Sequence, residues 1–196
     1  GLMTRLREQG VAFQDCNVVS LDGDTVTGTD GRRYPFEHLV IAAGAWSHRL
    51  TEQLGDWCPL ETERGYNTTI PSPGISLNRM LTFAEDHFVA TPMSMGLRIG
   101  GAVEFAGLKT PPNFNRSKAL LKLAAKYLPE LNVDGGTEWM GHRPSTPDSL
   151  PVIDRASRYS NVFYAFGHGH LGLTGSATTG RLIAALVRGE EASLDL

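Results

Sequence analysis

Apolar positions along this chain follow two rhythms, short runs of strand length and stripes at helical spacing. The clearest run, Val162-Phe163-Tyr164-Ala165-Phe166, leads into Gly167-His168-Gly169-His170-Leu171-Gly172-Leu173-Thr174 and then into a stripe of Leu182, Ile183, Leu186 and Val187. That order predicts a strand, a glycine turn and a helix running to about Arg188. The first turns of the helix, Thr174-Gly175-Ser176-Ala177 and Gly180, are nearly all small. Small residues there let a helix start press close to a sheet or a flat ligand, with Thr174 or Ser176 available as N-cap.

Upstream, Leu2 to Gln9 reads as the back half of a helix closed by Gly10 as its C′ residue. Val11–Phe13, Val18–Leu21 and Thr25–Thr29 are short strand candidates, the last two joined by a turn at Asp22-Gly23-Asp24. A further turn at Asp30-Gly31 leads through Arg32–Phe36 to Leu39-Val40-Ile41-Ala42-Ala43, which is apolar on both faces as a central, doubly covered strand would be. Strands are expected at Glu63–Ile70, Arg79–Glu85, Phe88–Pro92 and Leu97–Phe105, a spacing that suggests an antiparallel sheet. A helix at Asn115–Tyr127 sets Leu120, Leu121, Leu123 and Ala124 against Lys118, Lys122 and Lys126. Gly141 to Ile153, with three prolines, reads as irregular.

Composition narrows the class. Apolar residues make up 41% and charged residues 20% of 196 residues, ordinary for a soluble globular chain with one substantial core or two small ones. A formal charge of −3 gives no electrostatic reason to expect nucleic acid as a partner. Cys16 and Cys58 are too few for a disulfide framework or metal cluster and read as free thiols in a reducing compartment. The longest apolar run, Leu39 to Trp46, is far short of the roughly 20 residues a bilayer requires, and no basic-then-apolar leader is visible. A cytoplasmic chain is expected. It opens on Gly1 inside a helix that has no beginning of its own, which suggests truncation.

The glycine turn has the letters G-x-G-x-x-G of a dinucleotide fingerprint. That fingerprint needs a second parallel strand carrying an acidic residue about 20 residues on. After Gly189 only Glu190-Glu191-Ala192-Ser193-Leu194-Asp195-Leu196 follow, too little for that strand. The loop is therefore expected to approach a ligand whose phosphate cradle lies elsewhere. A second glycine, Gly44, ends the Leu39–Ala43 strand, where ligands of open α/β sheets sit. His168 and His170 form an H-x-H pair without Cys or carboxylate partners nearby in sequence, poor evidence for a metal. Glu61, Glu63, Asp86 and Glu104 carry no spacing that marks an acid or base, so solvated or ion-paired roles are expected. Arg143 offers a planar fork for a carboxylate, the competing reading being an ion pair with Asp148 or Asp154. Pro144 holds its backbone extended.

Three segments together resemble the D-amino acid oxidase superfamily of FAD-dependent amine oxidoreductases. Val40-Ile41-Ala42-Ala43-Gly44-Ala45-Trp46-Ser47 is similar to its strand-end motif, Gly141-His142-Arg143-Pro144 through Ile153 to its substrate-side motif, and Asn161 through Thr174 to its C-terminal flavin loop. Arg98 to Gly107 resembles the branch containing bacterial D-amino acid dehydrogenases. The resemblance implies an α/β (α+β) fold: an incomplete FAD-binding domain from residues 1–60 and 141–196, with an antiparallel-sheet substrate cap at 61–140. It implies that Gly169, His170, Leu171, Gly172, Leu173 and Thr174 lie along the flavin ring, with the Leu173 and Thr174 amides and the Thr174 hydroxyl as donors. A helix N-terminus there stabilises negative charge on the reduced ring. Ala43, Gly44 and Trp46 match positions near the middle of the cofactor, and Arg143 matches the arginine that pairs with the substrate carboxylate.

The implied activity is oxidation of a D-amino acid by hydride transfer to FAD, the imino acid hydrolysing to a 2-oxo acid and ammonia, with a quinone or oxygen as acceptor. Glycine, sarcosine or proline oxidation would use the same motifs. The family's N-terminal strand and glycine fingerprint, which hold the ADP half of FAD, have no counterpart before Gly10. The sequence is thus expected to be the C-terminal portion of such an enzyme, by itself inactive and binding FAD weakly or not at all. A location on the inner face of the membrane, without a transmembrane segment, follows from the same analogy.

Overall fold

The structure, a computed structural model, describes residues 1–190. The expectation that the tail forms no strand falls on residues 191–196, outside the described residues. In chain order the elements are α1 (Leu2–Glu8), β1 (Val18–Leu21), β2 (Thr25–Gly28), β3 (Arg33–Pro35), β4 (Leu39–Ile41), a 3-10 turn at Gly44–Trp46 running into α2 (Ser47–Thr51), β5 (Glu61–Ile70), β6 (Leu81–Phe83), β7 (Phe88–Met93), β8 (Gly96–Phe105), α3 (Asn115–Tyr127), β9 (Thr137–Ser145), β10 (Val152–Arg155), β11 (Val162–Phe166) and α4 (Gly172–Arg188).

They form three sheets: β1-β2-β3, β10-β11-β4, and the five-stranded β6-β7-β8-β5-β9. The last is antiparallel throughout. Strand alternation divides it into two faces. Ile70, Phe88, Ala90, Leu97 and Ile99 turn one way and bury against Leu120 and Ala124 of α3, whose lysines face solvent. Each such large side chain contributes about 1.5–3 kcal/mol on burial, which holds the helix to the sheet. The other face, carrying Glu63, Gly65, Asn67, Val103, Phe105, Trp139 and Arg143, is left largely open. A second core, Leu21, Ile41, Leu54, Val162, Tyr164 and Phe166, unites the two smaller sheets.

A half-buried carboxylate ties that second core together. Asp56 accepts hydrogen bonds from Tyr164 Oη at 2.6 Å and Ser157 N at 2.9 Å. Burial pushes its carboxyl upward, but these hydrogen bonds and the Arg158 charge outweigh it and hold the group below its ordinary range.

Three expectations are corrected. Val11–Phe13 is not a strand. The Leu39–Ala43 run is not covered on both faces: among the described residues β4 stands at the sheet edge, and Val40 is 39% exposed. Gly141 to Ile153 is not irregular throughout, since it holds the second half of β9 and the first half of β10. The prolines misled because Pro144 sits on an edge strand, where a missing N–H costs no ladder bond, opposite Thr62 of β5.

Candidate active site

Parallel pairing of β4 with β11, Leu39 opposite Val162 and Ile41 opposite Tyr164, brings two glycine turns to the same carboxyl edge. From β4 the chain enters Ala43-Gly44, with Gly44 at φ +55° and open space where a side chain would stand. From β11 it enters Gly167 at φ +82° and Gly169 at φ +51°. These conformations favour glycine and let backbone approach a ligand. The second loop is pinned from both sides. The Gly169 amide donates to the Pro144 carbonyl at 2.8 Å, His168 bridges to Ser145, and His168 Nε2 meets Thr179 Oγ1 at 2.9 Å. Burial holds the His168 imidazole below its ordinary pKa.

Helix α4 opens with Leu171 as its N-cap residue and no side-chain cap. Neither Thr174 nor Ser176 caps it, contrary to expectation: both lie inside the helix, and Ser176 Oγ donates to the Leu173 carbonyl at 2.8 Å. The helix therefore presents free first-turn N–H groups at Gly172, Leu173 and Thr174. Beside them, the apolar side chains of Leu171 and Leu173 are exposed, Leu173 to 91%. On the opposite turn, Trp46 is half exposed and meets the His142 ring edge-on at 5.3 Å. His142 is anchored to Thr62 Oγ1 at 2.7 Å; burial, and then the nearby Arg64 charge, lower its pKa.

Arg143 projects from β9 onto the open sheet face, in register with Glu63 of β5. Its guanidinium occupies the place where a Gly65 side chain would stand, and the Trp139 ring does the same at Gly141. Gly65 and Gly141 are directly paired, so the two large side chains share one depression made by two glycines. The carboxylate Arg143 meets is Glu63, 3.6 Å from Nη1, rather than Asp148 or Asp154. Glu63 also lies 3.3 Å from His170 Nε2 and accepts a hydrogen bond from Ser145 Oγ at 3.1 Å. A cleft of about 710 Å³ opens here, walled by Trp57, Glu63, Phe105, Ser145 and the loop Gly167–Leu171.

His168 and His170, two residues apart in sequence, thus turn to different partners. Of the other carboxylates, Glu104 accepts from Tyr66 and pairs with Arg116 and Arg64, and Asp86 accepts from Tyr127. The Tyr66 hydrogen bond, despite partial burial, and then the two arginines keep Glu104 below its ordinary pKa. Sequence reasoning missed Glu63, Phe105 and Trp139 as members of the site. The available signal was strand alternation, which puts Glu63 and Gly65 on one face of β5.

The profile of the FAD dependent oxidoreductase family (DAO) matches residues 1–186, and the chain belongs to that family. It is 43% identical over 161 residues to a D-amino-acid oxidase of Bradyrhizobium diazoefficiens, covering 80% of this chain and 38% of that protein. It is 33% identical over 180 residues to a D-amino acid dehydrogenase of Paramagnetospirillum magneticum, covering 89% of this chain and 42% of that one. The crystal structure of glycine oxidase from Geobacillus kaustophilus superposes with a TM-score of 0.79 at 26% identity, over 92% of this chain and 50% of that chain. The chain thus spans half or less of the length of these proteins. Its fold is of the D-amino acid oxidase type, mixed α/β with an antiparallel sheet. No helix among the described residues is long and apolar enough to cross a membrane.

Proposed function

We propose that this chain supplies the flavin-ring side and the substrate cap of an FAD-dependent D-amino acid dehydrogenase. One observation carries the reading: the Gly169 amide is bonded to the carbonyl of Pro144, the residue next to Arg143. The loop assigned to the cofactor and the strand assigned to the substrate are one hydrogen-bonded unit.

The residues present fit a flavin. Gly44 has open space beside its backbone, α4 begins without a side-chain cap, and Leu171 and Leu173 offer apolar surface to a ring. Ala43, Gly44 and Trp46 would hold the cofactor from one turn, and Gly169, His170, Leu171, Gly172, Leu173 and Thr174 from the other. FAD, when bound, supplies the two-electron acceptor for amine oxidation. The uncapped N–H groups of α4 favour negative charge at their edge of the site. Arg143 holds the substrate carboxylate by its fork, fixing the α-carbon's orientation. Phe105 and Trp57 offer exposed apolar surface at the cleft wall against which a substrate side chain can pack.

Under this reading residues 1–60 and 141–196 form the partial FAD-binding domain, which also contributes Arg143 to the substrate site, residues 61–140 form the substrate cap, and electrons pass on to a quinone or oxygen. The relatives named for D-amino acids support the substrate class; the glycine oxidase likeness keeps small amines as its rival. The test is substrate profiling of the full-length protein with FAD. Formation of 2-oxo acid and ammonia from D-amino acids supports the proposal. Activity confined to glycine or a secondary amine overturns it.

A further inference from the structure

The Glu63 and Arg143 pair is a loose one. Their closest approach is 3.6 Å, well beyond the roughly 2.7–2.9 Å of a charge-assisted hydrogen bond. Arg143 Nη1 is buried yet makes no hydrogen bond. A guanidinium committed to a structural ion pair would close that gap, because an unpartnered buried donor is costly. Glu63 is itself held in place: Ser145 Oγ donates to its Oε2, which leaves Oε1 directed toward Arg143 and His170. The side chain is 16% exposed, so it is only partly screened by water. A cation and an anion therefore stand side by side, neither saturated, with Glu63 at the wall of a cleft of about 710 Å³.

An α-amino acid zwitterion carries the mirror of this arrangement, a carboxylate and an ammonium one carbon apart. We infer that Glu63 is a specificity-determining residue that receives the substrate ammonium while Arg143 receives its carboxylate. The inference rests on the proposed role of Arg143 and adds a second point of recognition. Glu63 also acts against wrong ligands. A carboxylate without an amine would meet Arg143 only by approaching the Glu63 charge, so the pair selects zwitterions over simple acids. His170 Nε2 lies 3.3 Å from the same Oε1 and so shares that oxygen with Arg143.

D-alanine and propionate differ only by the amine, and their binding to the full chain can be followed through the amide signals of β5 and β9 without cofactor. D-alanine is expected to bind about tenfold more tightly than propionate, the value of one charge-assisted hydrogen bond. In Glu63→Gln the ratio should fall to near one, by weakening D-alanine and strengthening propionate. Ser145→Ala, which frees Glu63 without removing it, should reduce the ratio partway; it decides the matter if the glutamine variant does not fold. Equal binding of the two ligands to the unaltered chain, or a ratio unchanged in these variants, overturns the inference and leaves the Arg143 anchor standing. Binding of neither ligand, or binding unchanged in Arg143→Lys, overturns the Arg143 anchor and with it the inference.

Discussion

The guanidinium of Arg143 rests in the space left by the missing side chain of Gly65, its diagonal neighbour across the β5–β9 pair. Gly65 is buried in mid-strand, a position where glycine ordinarily weakens a sheet. Here the loss is offset by a seat for a planar cation on the open face. Glycine at position 65 is thus part of how Arg143 is aimed.

Gly65→Ala should therefore act on Arg143. The added methyl would overlap the guanidinium and force it from its seat. Carboxylate binding is expected to weaken by about tenfold or more, the loss of a charge-assisted contact, while far-UV circular dichroism stays that of the unaltered chain. Titration calorimetry with D-alanine checks the affinity.

Arg64, one residue before, behaves differently because it points to the other face. It is fully buried, donates to the carbonyls of Ala106, Gly107, Thr110 and Pro111, and lies 3.6 Å from Glu104. Arg64→Met would orphan those carbonyls and remove one partner of Glu104, costing about 3 kcal/mol. A lower urea midpoint with an unchanged denaturant slope is the expected result.

Acid should destabilise the chain in two stages. His142 and His168 have folded pKa values below the ordinary 6.5, so the unfolded chain binds more protons below that value. Their contribution is complete above pH 6.5 and is lost as the pH falls from there toward the folded pKa values. Asp56 and Glu104, lowered from 3.8 and 4.5, add their losses only at more acid pH. Melting temperatures recorded from about pH 8 to pH 5 should decline below neutrality, and His168→Asn should flatten that decline.

The segments legible in sequence were those governed by local pattern. The α3 stripe at helical spacing, the β11 run and its glycine turn, and the β5 and β8 strands all stand close to where periodicity placed them. Strand β9 was not legible, because its one proline, Pro144, is tolerated by an edge position that only tertiary pairing creates. Glu63 escaped for a related reason. Arg143, Ser145 and His170 lie some eighty residues or more further along the chain, and the β5–β9 register together with the glycine loop assembles them. Gly44 and the Gly167–Gly169 turn were legible singly, whereas their shared edge follows from the parallel pairing of β4 and β11.

The most direct measurement follows the amide spectrum of the full chain while FAD is added in excess, since weak binding still shifts the residues in contact. Shifts are expected at Gly44, Gly169, Leu173 and Thr174. They should be lost in Gly169→Val, where a β-branched residue cannot hold φ +51° without strain. Shifts confined to other surfaces, or shifts at these residues that persist unchanged in Gly169→Val, would contradict the assignment of these two turns to the flavin.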